Sequence, residues 1–227
     1  MHERLAVIFD MDGVLVDSYD AHYLSWVQAA ASLGCRMSRQ EFDATFGRTS
    51  REIIAALWPE SVSGEEEIGR LDARKEAAFR EILARDFPAM PGAEALLESL
   101  HAAGFGVGLG SSGPPENVNL VLDRLGKRRL FGAVVHGMDV TRGKPDPQVF
   151  LLAAKRLGVA PDCCAVVEDA PLGIEAARRA GMASVGIVST GRTRQALAQA
   201  DLVIDGLAQL TPVVLRELIA ANQRHPQ

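Results

Sequence analysis

The first apolar run of the chain, Leu5 to Phe9, is a short β-type stretch that stops at acid and glycine. A run of this length and composition predicts a buried parallel strand. The texture changes after Ser18. Over residues 20–34, Leu24, Val27, Ala31 and Leu33 fall near a helical period, and Gly34 closes the pattern. Residues 40–58 and 65–86 also predict helices, with no strand between them. The segment DFPAMPG, with Pro88 and Pro91, then reads as a returning linker.

Beyond that linker the periods alternate. Helical patterns at 92–103, 115–125, 147–157, 172–180 and 212–222 are interleaved with strand patterns at 105–110, 133–136, 164–168, 183–188 and 202–204. Such alternation implies a parallel sheet covered by helices on both faces. The expected fold class is therefore α/β, a Rossmann-like parallel sheet. An all-helical insert over residues 18–87 interrupts a core built from residues 1–17 and 88–227.

Composition narrows the function classes. Of the 227 residues 48% are apolar, enough to bury a core, so disorder is not expected. The net charge of -5 offers no basic face for a nucleic acid. Apolar runs such as IIAALW are far too short to span a membrane, and LAVIF meets Asp10 too early to serve as a signal segment. Cys35, Cys163 and Cys164 show no zinc spacing and read as reduced, buried thiols, which suits a cytoplasmic location. A monomer is expected.

Gly108, Gly110 and Gly113 spell G-x-G-x-x-G, the pattern of a dinucleotide-binding turn. The context argues against it. Gly106 and Gly108 fall inside a strand, Pro114 and Pro115 suit the first turn of a helix, and no acid stands at the end of the next strand pattern, which reads His136-Gly137.

Ligands of open parallel sheets sit beyond the carboxyl ends of the strands. The strand ends here supply Asp10 and Asp12, then Ser111 and Ser112, then Lys144, then Glu168 and Asp169. Each alone is an ordinary cap or turn residue. Together they complete one chemistry. Crowded carboxylates need a cation, and all-oxygen ligands favour a hard one such as Mg2+. A cation beside a lysine and hydroxyls suits a phosphate group. Of two carboxylates spaced as Asp10 and Asp12 are, one can attack phosphorus and the other can move the proton.

The segments FDMDGVLVDS, GSSGPPENV, GKPDP and VVEDAPLG resemble the four motifs of the haloacid dehalogenase superfamily, and their spacing is similar to its β-phosphoglucomutase-like branch with a helical cap. The resemblance implies that Asp10 is the nucleophile and a magnesium ligand. It implies that Asp12 is the acid/base and lends the metal its carbonyl, and that Ser111 hydrogen-bonds the phosphoryl group. Lys144 would neutralise charge, Asp169 would ligate magnesium, and Glu168 would assist through water. The cap is expected to close over the rim and choose the substrate.

In the cap, His22 lies in a segment, HYLSW, similar to one that helps gate the nucleophile. Arg51 and Lys75 fall where that branch carries cations for phosphate or sugar. Trp26 reads as cap core, and Arg51 and Lys75 read equally as solvated helix charges. One departure stands out. After Ser111 the mutases carry a Ser-Lys-Asn-like run, whereas this chain has Ser112-Gly113-Pro114-Pro115-Glu116. The expected function is a magnesium-dependent phosphatase of a small phosphorylated metabolite, with a sugar-phosphate mutase as the alternative. A non-catalytic binding protein is disfavoured, since Asp10, Asp12, Lys144 and Asp169 are all present.

Overall fold

The computed structural model describes residues 4–224. They divide into two compact units, one of residues up to Asp17 together with Ala89 onward, the other Ser18–Pro88.

In chain order the elements are β1 (Ala6–Phe9), α1 (Tyr19–Ala31), α2 (Arg39–Thr45), α3 (Ser50–Leu57), α4 (Glu65–Arg85), α5 (Ala93–Ala102), β2 (Gly106–Gly110), α6 (Pro115–Leu125), β3 (Ala133–Val135), α7 (Gln148–Leu157), β4 (Cys164–Glu168), α8 (Pro171–Arg179), β5 (Ala183–Ile187), β6 (Leu202–Ile204) and α9 (Pro212–Arg224). The strands form one sheet in the order β3-β2-β1-β4-β5-β6, and each neighbouring pair is parallel. This is the α/β class that the alternating periods predict.

β1 lies centrally because its four residues, Ala-Val-Ile-Phe, are all fully buried. Apolar side chains on both faces are what a strand covered on both sides requires. Phe9 pairs with Leu109 of β2 and Val167 of β4, so Asp10 emerges level with Gly110 and Glu168. The chain leaves β1 for β2 on one side and reaches β4 on the other, which makes the end of β1 a topological switch point.

The glycines of β2 serve packing. A Cβ on Gly108 would lie 3.2 Å from Leu157, and one on Gly110 would lie 3.0 Å from the ring of Phe150. Both partners belong to α7, which therefore lies close on the sheet. The helix after Ser111 begins at Pro115 with Pro114 as its cap residue, as proline's fixed φ favours.

The helical unit is held by Trp26, Phe42, Ile53, Ile54, Trp58 and Leu71. Here one expectation fails: residues 40–58 are not one helix but two. Gly47, at φ 92°, breaks the run. Thr49 and Glu52 then form a reciprocal capping box that starts α3, as Ser38 and Glu41 do for α2. Two satisfied helix starts outweigh the continuous apolar period.

All three cysteines are free thiols. Burial pushes the Cys164 thiol up to about 12, with Cys163 adding to the effect, so it does not act as a thiolate. Among the described residues no helix is long and apolar enough to cross a membrane.

The glycine packing generates a prediction. Gly110→Ala adds a methyl against a fully buried ring, and overpacking of this kind costs about 1–3 kcal/mol, more than the roughly 0.5–1 kcal/mol that alanine gains over glycine in a strand. Denaturant titration should show that loss, while Gly143→Ala, where a Cβ meets nothing within 4 Å, should be near neutral. Equal stability of the two variants would refute the packing role.

Candidate active site

Asp10 follows β1 directly, and its backbone N–H donates to the Val167 carbonyl at 2.9 Å. Its carboxylate is buried. Lys144, on the segment between β3 and α7, brings its ammonium to Asp10 Oδ1 at 2.5 Å, to Glu168 Oε1 at 2.6 Å and to the Gly110 carbonyl at 3.2 Å. The face of Phe150 lies 4.8 Å from the same nitrogen. All three N–H donors thus have acceptors, and a ring lies alongside.

Glu168 ends β4, and its second oxygen accepts the Ala170 N–H at 2.8 Å. A Cβ on Gly173 would lie 1.8 Å from Glu168 Oε1, so the bare first turn of α8 makes room for the carboxylate. Asp169 follows, and its Oδ2 accepts the Ser189 hydroxyl at 2.7 Å. Gly13 is required beside it twice over. Its φ is 70°, and a Cβ there would sit 2.1 Å from that oxygen.

Asp10, Glu168 and Asp169 each offer an oxygen, and the three lie within 4.8 Å of one another. Hard carboxylate oxygens at this spacing fit a cation such as Mg2+. The electrostatics agree. Burial pushes the Asp10 carboxyl well up, although Lys144 pulls it back. Burial, then Glu168, pushes Asp169 up to about 7. Burial alone would lower Lys144, but Asp10 and Glu168 raise it above its ordinary value, so it stays charged. One ammonium among three buried carboxylates leaves the cluster short of positive charge. Asp12, half-buried, adds to the negative potential on both Asp10 and Asp169.

Ser111 ends the neighbouring strand and is buried. Its oxygen accepts the Gly113 N–H at 3.0 Å, so the hydroxyl proton is the part left to donate. Ser112 is exposed, as is Glu116. The sequence reading of this rim missed Ser189, and nothing in VSTGRT separates that serine from an ordinary turn residue.

Within the helical unit, His22 and Lys75 come together, Nδ1 to Nζ at 3.0 Å. The reading of Lys75 as a solvated charge is wrong: it is 4% exposed and ion-paired to Glu76 at 2.7 Å, with Phe79 and Trp26 beside it. His22 stacks on Phe79, and Trp26 is core. Arg51 is held in a different pair, its guanidinium bidentate on Glu65 at the surface.

A parallel sheet with a helical insert after its central strand, and with a lysine–carboxylate cluster where that strand ends, is a haloacid dehalogenase-like α/β enzyme fold. The chain belongs to the haloacid dehalogenase-like hydrolase family, whose pattern matches residues 5–181. It is 34% identical over 218 residues to a β-phosphoglucomutase of Bacillus subtilis, covering 93% of this chain and 94% of that one. It is 35% identical over 189 residues to a fructose-1-phosphate phosphatase of Escherichia coli, covering 82% and 98%. A crystal structure of a β-phosphoglucomutase from Clostridium difficile superposes with a TM-score of 0.84 at 29% identity, covering 98% of this chain and 100% of that one.

The charge shortage has a measurable sign. The Asp169 carboxyl titrates near 7 in the folded chain against 3.8 as a free group. That contribution to stability is fully present below about pH 4 and is lost as pH rises through about 7. In chelator the melting temperature should therefore fall from about pH 4 to about pH 7, and Asp169→Asn should flatten the fall by several degrees. Magnesium should restore stability at the higher pH, because it favours the ionised ligands. Parallel pH profiles for wild type and variant would contradict the assignment.

Proposed function

We propose that this protein is a magnesium-dependent phosphatase that acts on a small phosphorylated sugar or related metabolite through a phospho-Asp10 intermediate. The observation that carries the reading is Lys144 bridging Asp10 and Glu168 beside Asp169. The relatives named as a fructose-1-phosphate phosphatase and a β-phosphoglucomutase support the substrate class.

An Asp10 oxygen attacks phosphorus, and the bond from phosphorus to the ester oxygen breaks. The leaving oxygen takes its proton from Asp12. Water then gives a proton to Asp12 as its oxygen attacks phosphorus. The Asp10–phosphorus bond breaks, releasing inorganic phosphate and returning the carboxylate. Lys144 favours the ionised form of Asp10 against the effect of burial and balances charge on the phosphoryl oxygens, and the Ser111 hydroxyl donates to one of them. Asp10, Asp169 and the Asp12 carbonyl would hold Mg2+, with Glu168 assisting through water. When bound, the ion would supply further positive charge to the phosphoryl group.

The mutase reading draws on the identity to the Bacillus subtilis enzyme. It needs fixed cations for a second phosphate. Pro114, Pro115 and the exposed Glu116 follow Ser111 in place of a lysine, and Arg51 is already neutralised by Glu65. Water is therefore the favoured acceptor. Lys75 and His22 are assigned to substrate binding.

Given a hexose monophosphate, the enzyme should release phosphate faster than it forms an isomeric sugar phosphate, without stimulation by a hexose bisphosphate. Rapid isomerisation with negligible phosphate release would favour the mutase. Asp10→Asn should be inactive with magnesium present, since an amide is a poor nucleophile. Lys144→Met should lower kcat by roughly 10²–10³, the size expected on losing a fixed charge at the reacting group. Lys75→Ala should act mainly on KM, and an unchanged KM would remove it from the binding site.

A further inference from the structure

Two consecutive hydroxyls follow β5, and each addresses an acid on a different segment. Ser189 Oγ donates to Asp169 Oδ2 at 2.7 Å. Thr190 Oγ1 donates to Asp17 Oδ2 at 2.7 Å, on the segment that leads from β1 to α1. The loop bearing them is tied at both ends of its turn. The Val188 N–H donates to the Ile204 carbonyl at 2.9 Å, and the Arg192 N–H donates to the Ser189 carbonyl at 3.0 Å.

This loop encloses one oxygen of Asp169. Gly13 presses on it from the β1 side, where a Cβ would lie 2.1 Å from Oδ2 and 3.0 Å from Ser189 Oγ. Arg192 Nε stands 3.9 Å from the same oxygen. A carboxylate free to rotate about its Cβ–Cγ bond cannot hold an oxygen at a fixed ligand position. With Oδ2 held by a hydroxyl, rotation stops, and the remaining oxygen is the one available to a cation.

We propose that Ser189 is a positioning residue that fixes the Asp169 carboxylate for the cation, and that Thr190 pins its loop to Asp17. The inference rests on the cation at Asp10, Glu168 and Asp169 put forward above. Neither hydroxyl touches the reacting atoms, so their effect should appear in metal affinity.

Magnesium alone, titrated against the full chain with melting temperature as the readout, tests this directly. Residues that orient a metal ligand typically hold about 10- to 100-fold in affinity. Ser189→Ala should weaken magnesium binding by that factor, while Ser189→Thr, which keeps the hydroxyl, should stay within about threefold of wild type. Thr190→Val should fall between them. In chelator Ser189→Thr and Thr190→Val should melt within a degree or so of wild type, since the first keeps the hydroxyl and Thr190 is exposed, while Ser189→Ala should lose some metal-free stability because a buried carboxylate oxygen loses its donor. Wild-type magnesium affinity in Ser189→Ala would overturn the proposal. So would a loss of magnesium affinity in Ser189→Thr as large as in Ser189→Ala, because the threonine keeps the hydroxyl. Absence of magnesium binding by wild type would instead overturn the cation reading itself, and this inference with it.

Discussion

Three buried carboxylates crowd the end of β1, and one ammonium serves two of them. Lys144 sits within 2.6 Å of both Asp10 and Glu168, and Asp169 has only a hydroxyl and a more distant guanidinium. Taking an ion out of water costs several kcal/mol, recovered only where partners are close and well aimed. The pairs around Lys144 meet that condition, while the charge left on Asp169 does not. The fold therefore holds an unbalanced site, which a proton or a cation must complete. An isolated stabilising ion pair would not be built with this excess, and the excess is what makes the cluster chemically useful.

The sheet can carry this arrangement because backbone comes close where side chains are missing. Gly13 admits Asp169, Gly173 admits Glu168, and Gly110 admits Phe150 beneath the lysine. Each is a glycine for steric reasons measured in ångströms, and each lies next to a charged group rather than at a nucleotide turn. The first two glycines of the G-x-G-x-x-G pattern, Gly108 and Gly110, thus serve helix–sheet packing in β2. Its glycines help set the height of α7 on the sheet, and with it the place of Phe150 beside the Lys144 ammonium.

Much of this was legible because strand ends are legible. Asp10, Ser111, Glu168 and Asp169 stand where short apolar runs stop, Lys144 follows on the segment after β3, and parallel topology collects such positions on one edge. What escaped has physical reasons. The break at Gly47 lay hidden beneath a continuous apolar period, although Thr49 and Glu52 carried a capping signal. Ser189 and Thr190 sit in a polar turn whose partners are far away in sequence, so no local pattern marks them. The resemblance makes Glu168 a metal neighbour, yet its nearest partner is Lys144. The Lys75–Glu76 pair joins adjacent residues of a helix, a spacing at which side chains do not ordinarily face each other. Only a long lysine turned inward by its surroundings makes it possible.

Lys75 and Arg51 look alike in the sequence, but their environments separate them. Arg51 is exposed and satisfied by Glu65. Such a pair contributes little to stability and leaves little free charge for a ligand. Lys75 is buried among Trp26, Phe79 and His22 with a carboxylate beside it. Replacing a buried ion pair with apolar groups of similar volume is often neutral or stabilising. The helical unit already has an apolar core in which such a replacement would fit, so packing alone gives no reason for an ammonium there. Lys75 is paired with Glu76 as Arg51 is with Glu65, and what separates the two is burial, which holds the lysine side chain in place and strengthens its pair. Of the two, Lys75 is therefore the one whose charge the helical unit fixes in its interior.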